Sequence, residues 1–197
     1  MADLSAALEQ LDEITRRLRR ECPWDREQDE RSIVPHTVEE AYELADAAHS
    51  GDDAKLLDEL GDVLFQVYFL SLLLEERGQG SLAEVADHCR QKLIRRHPHV
   101  FGDREAESAG DVVRNWNQIK RDDERGGEIF GEIPDTLPST LYAKKILKRA
   151  GRPFEPSDAD PGDLLLAAVR DSLTAGVDPE LALRQAADRF RTEVEAE

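Results

Sequence analysis

The stretch VLFQVYFLSLLL, residues 63–74, limits the fold more than any other part of the chain. It is apolar on nearly every side, so a helix over it has no face to offer solvent and belongs at the centre of a helical assembly. Its twelve residues fall short of the roughly 20 that a membrane-spanning helix needs. The flanking pattern is helical too. In DLSAALEQLDEITRRLRR, Leu4, Leu8, Leu11, Ile14 and Leu18 recur at three- and four-residue steps and form one apolar stripe. No segment alternates apolar and polar residues between hairpin turns. The spacing predicts an all-α fold, an antiparallel bundle of helices.

Punctuation residues divide the bundle. Pro23 and the dense charges of CPWDREQDER predict a loop over 21–31. A second helix begins at Ser32 or Thr37 and ends at Ser50, with Gly51 as its stop. Asp52 caps a third helix running to about Arg77, and Ser81 with Glu84 forms a capping box for a fourth. Ser108 and Asp111 open a fifth. GGEIFGEIPDTLP then holds three glycines and two prolines in thirteen residues, the composition of a linker. A helix near 139–150 ends at Gly151, RPFEPSDADPG breaks the chain again, and two helices finish it.

Three regions result: a charged helical domain over 1–125, a linker and helix over 126–151, and a tail over 152–197. The tail echoes what precedes it. GDLLLAAVRDSLTA (162–175) parallels GDVLFQVYFLSLLL (61–74), and DPELALRQAADRFRTE (178–193) parallels SLAEVADHCRQKLIRR (81–96). Lys92 aligns with Arg189, whereas Arg95 and Arg96 align with Thr192 and Glu193. No counterpart of EEAYE (39–43) precedes the second copy. The tail reads as a shortened, degenerate partial repeat; a coincidence between amphipathic helices is the other reading.

Charge narrows the function classes. The formal net charge is −17, which repels nucleic acid and anionic membrane surfaces and attracts cations. The expected partners therefore include neither. The acidic, amphipathic start MADLSAALEQLDE is not a secretory signal. Cys22 and Cys89 form no CxxC and read as reduced thiols of a cytoplasmic protein. A zinc site from those cysteines and the histidines of HPH (97–99) lacks usual ligand spacing.

The carboxylates are placed unusually. At about 100° per residue, with Glu39 at zero, Glu43 falls near 40°, His36 near 60° and Glu40 near 100°. Val38, Ala41, Tyr42, Leu44, Ala45 and Ala48 fill the opposite side. Alone, this is an ordinary surface helix, and Glu40 could be a capping partner of Thr37. The next helix changes the picture. Glu59 and Asp62 share a flank that continues into Gln66, Phe69, Leu70 and Leu73. Carboxylates at the head of a buried helix lie at a wet rim or hold a cation. Lys55 is the sole Lys or Arg between residues 32 and 76, so an ion-pair network has too few partners. Oxygen-only ligands point to Mg²⁺ or Mn²⁺, with two ions as an option.

Cations farther along suit a polyphosphate. Lys92 and Arg96 stand at i and i+4 beside the stripe of Leu82, Val85, Cys89 and Leu93; alternatively KLIRR merely answers the helix dipole. Trp116 and Lys120 repeat the spacing, with Trp116 as a stacking surface or as plain core.

Together these residues resemble the MazG family of all-α nucleoside triphosphate pyrophosphohydrolases, over roughly residues 1–125. CPWD (22–25) with Gln28, EEAYE (39–43), DELGD (58–62), KLIRRHPHVF (92–101) and the Trp116-to-Lys120 segment occur in the family's order. Asp29 stands where many members carry Thr. The long form of the family has two complete tandem domains, whereas this chain has the shortened tail. The resemblance implies Mg²⁺-dependent hydrolysis of a nucleoside triphosphate to monophosphate and pyrophosphate, and a homodimer. It places the metal ligands on Glu39, Glu40, Glu43, Glu59 and Asp62; the mechanism expected of such a site uses Glu39 or Glu40 as general base. Lys92, Arg96, Trp116 and Lys120 fall at nucleotide positions, and His36 and Trp24 join them as expected substrate-binding residues. The rival expectation is a helical module that binds nucleotide or protein without hydrolysis.

Overall fold

The computed structural model describes residues 3–124, 130, 133–157 and 160–196, and the side chains of these except 121–124. All regular structure among the described residues is helical, as expected. The chain forms two compact units, Met1–Glu105 and Ala106–Glu197. The first holds α1 (Leu4–Glu21), α2 (Pro23–Glu27), α3 (Glu30–Ser50), α4 (Asp53–Glu76), α5 (Leu82–Arg96) and α6 (Pro98–Phe101). The second holds α7 (Ala109–Glu124), α8 (Ser139–Ala150), α9 (Pro161–Thr174) and α10 (Pro179–Glu195). Of the linker signal at 126–138, residues 126–129, 131 and 132 lie outside the described residues.

The centre of the first unit is the antiparallel pair α3 and α4. Gly51 makes the reversal between them at φ 71°, a left-handed conformation that glycine adopts without strain. Asp52 then caps α4 by accepting from the Ala54 and Lys55 amides. Ile33 of α3 packs with Phe69 and Leu73 of α4 in a core that Phe65 and Leu70 extend. Phe69 is only 1% exposed, and burying such a side chain contributes roughly 1.5–3 kcal/mol.

Four expectations need correction. Residues 21–31 are not a loop: Pro23 starts the short α2, and α3 begins at Glu30. Proline is well suited to a first helical position, and Asp29 accepts from the Arg31 and Ser32 amides while Ser32 answers the Asp29 amide. Thr37 is therefore inside α3, not its cap. The second correction concerns α1, whose Leu4, Leu8, Ile14 and Leu18 are exposed. The flank meeting α4 carries Thr15, Arg16 and Arg19. Arg16 forks onto Glu75 and Arg19 onto Glu76, and the Tyr68 hydroxyl donates to the Leu8 carbonyl. Polar clamps hold this flank of α1 against α4, and of the stripe only Leu11 is half-buried. Third, α4 is not covered on every side. Leu57 is 74% exposed, and Leu60, Leu64 and Val67 continue the same stripe. Fourth, the inner seam of α3 is Ile33, Thr37, Glu40, Leu44 and Ala47, while Val38, Ala41 and Ala48 are exposed. Glu40 thus stands on the side of the helix that faces its neighbour.

Candidate metal centre

The α3–α4 seam changes polarity along its length. At the far end from the Gly51 turn lies the Ile33–Phe69–Leu73 core. One turn nearer, the Thr37 hydroxyl donates to Gln66 Oε1 at 3.2 Å, and Gln66 is buried at 6% exposure. Nearer still come the acids. One carboxylate oxygen each from Glu40, Glu43 and Glu59 lies within 4.8 Å of the others. The antiparallel register produces this grouping, because it sets residues 40 and 43 of one helix against residue 59 of the next.

The electrostatics are unfavourable without a counter-ion. Burial is the main cause that pushes the Glu40 carboxyl above its usual range, and Asp62, Glu43, Glu59 and Glu39 add repulsion in that order. Glu59 is raised likewise, by burial first and then by Glu43, with Lys55 opposing. Like charges held this close resist ionisation, and a divalent cation removes that cost. Oxygens sharing one cation at 2.0–2.6 Å are no more than about 4–5 Å apart, so the three carboxylates fit a single hard ion.

The other expected residues are distributed as follows. Asp62 sits one turn beyond Glu59 and exerts the largest charge effect on Glu40, although it is outside the three-oxygen group. Glu39 points outward, with its carboxylate 3.8 Å from the His36 ring. His36 also meets Trp24 edge-on, the ring centroids 5.7 Å apart. Lys92 is half-buried and Arg96 buried on α5. Trp116 and Lys120 are half-buried on α7, within the second unit.

Two features near the site carried no functional reading in the sequence. One is the Thr37–Gln66 bond, whose only signal was Gln66 lying on the Glu59–Asp62 flank. The other is the anchoring of the CPWD turn. Gln28 Nε2 donates to the Trp24 carbonyl at 2.8 Å, and Arg19 Nη1 reaches the carbonyls of Asp25 and Gln28. A contact to backbone carbonyls leaves no trace in the spacing of residue types.

Comparison with known proteins identifies the family. Residues 28–101 match the profile of the MazG nucleotide pyrophosphohydrolase domain. A nucleoside triphosphate pyrophosphohydrolase of Escherichia coli K12 is 34% identical over 86% of this chain and 77% of its own length. The "nucleoside triphosphate pyrophosphohydrolase/pyrophosphatase MazG" of Thermotoga maritima is 34% identical over 96% of this chain and 85% of its own. A crystal structure of a MazG-related protein from Thermotoga maritima superposes with a TM-score of 0.50 at 25% identity. It covers 57% of this chain and 98% of that one.

Proposed function

The chain belongs to the MazG family of nucleoside triphosphate pyrophosphohydrolases, and from that premise we propose that its α3–α4 carboxylates form a Mg²⁺ site for cleavage of the α–β phosphoanhydride. The chain is a hydrolase acting on nucleoside triphosphates. The observation that carries the metal assignment is the meeting of Glu40, Glu43 and Glu59 oxygens within 4.8 Å. Asp62 and Glu39 are assigned as the remaining ligands, and Mn²⁺ satisfies the same oxygen set.

When bound, the cation lowers the pKa of a coordinated water and neutralises phosphate charge. The chain supplies the rest. Glu39 or Glu40 accepts the proton of the attacking water. The new oxygen–phosphorus bond forms at the α-phosphorus while the bridging bond breaks, and pyrophosphate leaves with the electron pair. Lys92 and Arg96 balance the charge of the departing phosphates. Trp24 and His36, beside Glu39, and Trp116 and Lys120 contribute to nucleotide binding. In this reading residues 1–125 are the catalytic domain, and 152–197 are a shortened repeat without a carboxylate set.

The active form is a homodimer. The Leu57, Leu60, Leu64 and Val67 stripe, exposed in the single chain, is the surface that a second copy covers. The role is nucleotide-pool housecleaning in the cytoplasm, without nucleic acid or membrane. Among the described residues, no helix is long and apolar enough to cross a bilayer.

Pyrophosphate release from mixed nucleoside triphosphates with Mg²⁺ is the direct test. Turnover is expected in the parent chain and a loss of about a hundredfold or more in Glu40→Gln. Nucleotide binding without any pyrophosphate would make the chain a non-catalytic module. Parent-like rates in both Glu40→Gln and Asp62→Asn would remove the carboxylates from the mechanism.

A further inference from the structure

Arg19 makes more directed contacts than any neighbouring cation. Its Nε and Nη2 fork onto the two oxygens of Glu76 at 2.9 and 2.8 Å. Its Nη1 donates to the Asp25 and Gln28 carbonyls, the latter at 3.0 Å. The guanidinium lies 5.9 Å from the centroid of Phe69, which belongs to the apolar core of the α3–α4 seam. One side chain of α1 therefore ties the second half of the CPWD helix, at Asp25 and at the C-cap Gln28, to the scaffold that carries the acids. A planar group with five donors in fixed directions can do this; a lysine ammonium cannot.

The segment held this way carries Trp24. That ring is 51% exposed, its edge is set against His36, and His36 lies beside Glu39. Arg16 supplies an internal comparison one turn earlier on the same helix. It makes an equivalent fork, at 3.1 and 2.7 Å onto Glu75, and its Nε donates to the Asp12 carboxylate at 2.8 Å. The two arginines clamp α1 to α4 alike, and Arg19 additionally grips the CPWD backbone.

We propose that Arg19 is a positioning residue for nucleotide binding, fixing the CPWD turn so that Trp24 and His36 form a wall beside Glu39. The inference rests on the reading that this wall meets the substrate. Arg19 touches neither substrate nor metal and acts through the turn.

Two readouts test it. The first is steady-state kinetics of pyrophosphate release for Arg19→Lys, Arg19→Met and Arg16→Met. Both Arg19 variants are expected to raise KM about fivefold or more with kcat within about twofold, and Arg16→Met to leave KM within about twofold. Arg19→Lys keeps a charge for Glu76 and is the variant read if Arg19→Met does not fold. The second readout needs no turnover. In a Trp116→Phe background Trp24 is the sole indole, and its quenching by acrylamide is expected to rise about 1.5- to 2-fold in the Arg19 variants. His36→Ala should give the same rise, and Arg16→Met none.

Parent-like quenching in the Arg19 variants overturns the proposal, as does an equal response to Arg16→Met, which would reduce Arg19 to helix docking. Raised quenching with unchanged KM also overturns it, because the wall would then stand away from the nucleotide while hydrolysis by the parent stands. A parent chain that releases no pyrophosphate overturns the enzyme reading itself, a result separable from the fluorescence.

Discussion

In α4 the pair Gly61–Asp62 falls in the third turn, after Glu59 and opposite the glutamates of α3. In α9 the pair Gly162–Asp163 falls in the first turn, after Pro161, and serves the helix end. Asp160 caps α9 by accepting from the Gly162 and Asp163 amides, and the Asp163 carboxylate accepts from the Ser157 amide at 2.9 Å. The helices packed beside them differ as much. The α3 helix carries Glu39, Glu40 and Glu43, whereas α8 carries Lys144, Lys145 and Lys148. Lys144 pairs with Asp178, the cap of α10. Where the first unit gathers carboxylates, the second has a cavity of about 550 Å³ lined by residues such as Ala143, Leu166, Val169, Ser172 and Leu183, and by no carboxylate. A Gly-Asp leading into an apolar helix is thus not a site in itself. Its depth along the helix and the sign of the adjacent helix decide whether the aspartate joins an acidic group or closes a helix end.

The contrast can be broken most forcefully through packing. Phe69→Ala removes the ring around which the α3–α4 seam is built and should cost about 3–5 kcal/mol. Leu165→Ala, exposed at the rim of the second unit's cavity, should cost less than about 1 kcal/mol. Hydrogen exchange across Met1–Glu105 and Ala106–Glu197 measures each separately; comparable losses would mean that the seam is not a distinct stabilising element.

The acids come next. Glu59→Gln is expected to lower kcat/KM about a hundredfold, and Asp163→Asn to leave it within about twofold. A large loss in Asp163→Asn would put the second unit's helix end into the mechanism. Mg²⁺ at about a hundred times its Kd adds roughly 2.7 kcal/mol, seen as a Tm rise of about 5–10 °C. The rise should vanish in Glu40→Gln and persist in Asp163→Asn. Protection that appears over Ala106–Glu197 instead would relocate the metal.

The smallest effect concerns pH without metal. Glu40 and Glu59 have raised proton affinities when folded. The stability linked to them is complete below the ordinary glutamate range and is lost as pH rises through their folded values. Metal-free Glu40→Gln should therefore melt above the parent at pH 7, and the gap should close on acidification toward pH 4. The carboxyls of Glu75 and Glu76, lowered by Arg16 and Arg19, act oppositely and are common to both chains. Subtracting the two profiles isolates Glu40. A gap that widens in acid would show that Glu40 gains a partner on folding.

Much of this was legible from residue type and spacing. Asp52, Ser81 and Gly51 mark helix ends because a cap needs only the local chain, and the flank from Glu59 to Leu73 was visible as a change of polarity. The α2 turn was missed because charge density there masked a proline at a favourable first position. The inward placement of Glu40 was missed for a different reason: α3 has two candidate apolar sides, and Val38 and Ala41 suggested the wrong one.

The sequence by itself determined that the chain is helical, where most helices stop, and that acids collect beside the most apolar one. Those properties follow from backbone geometry and local hydrogen bonding. The tertiary structure alone decided which side of each helix faces inward, because that choice depends on contacts between residues far apart, such as Thr37 with Gln66 and Arg19 with Glu76. The same pairing set three glutamate oxygens within reach of one ion and gave the CPWD turn its anchor.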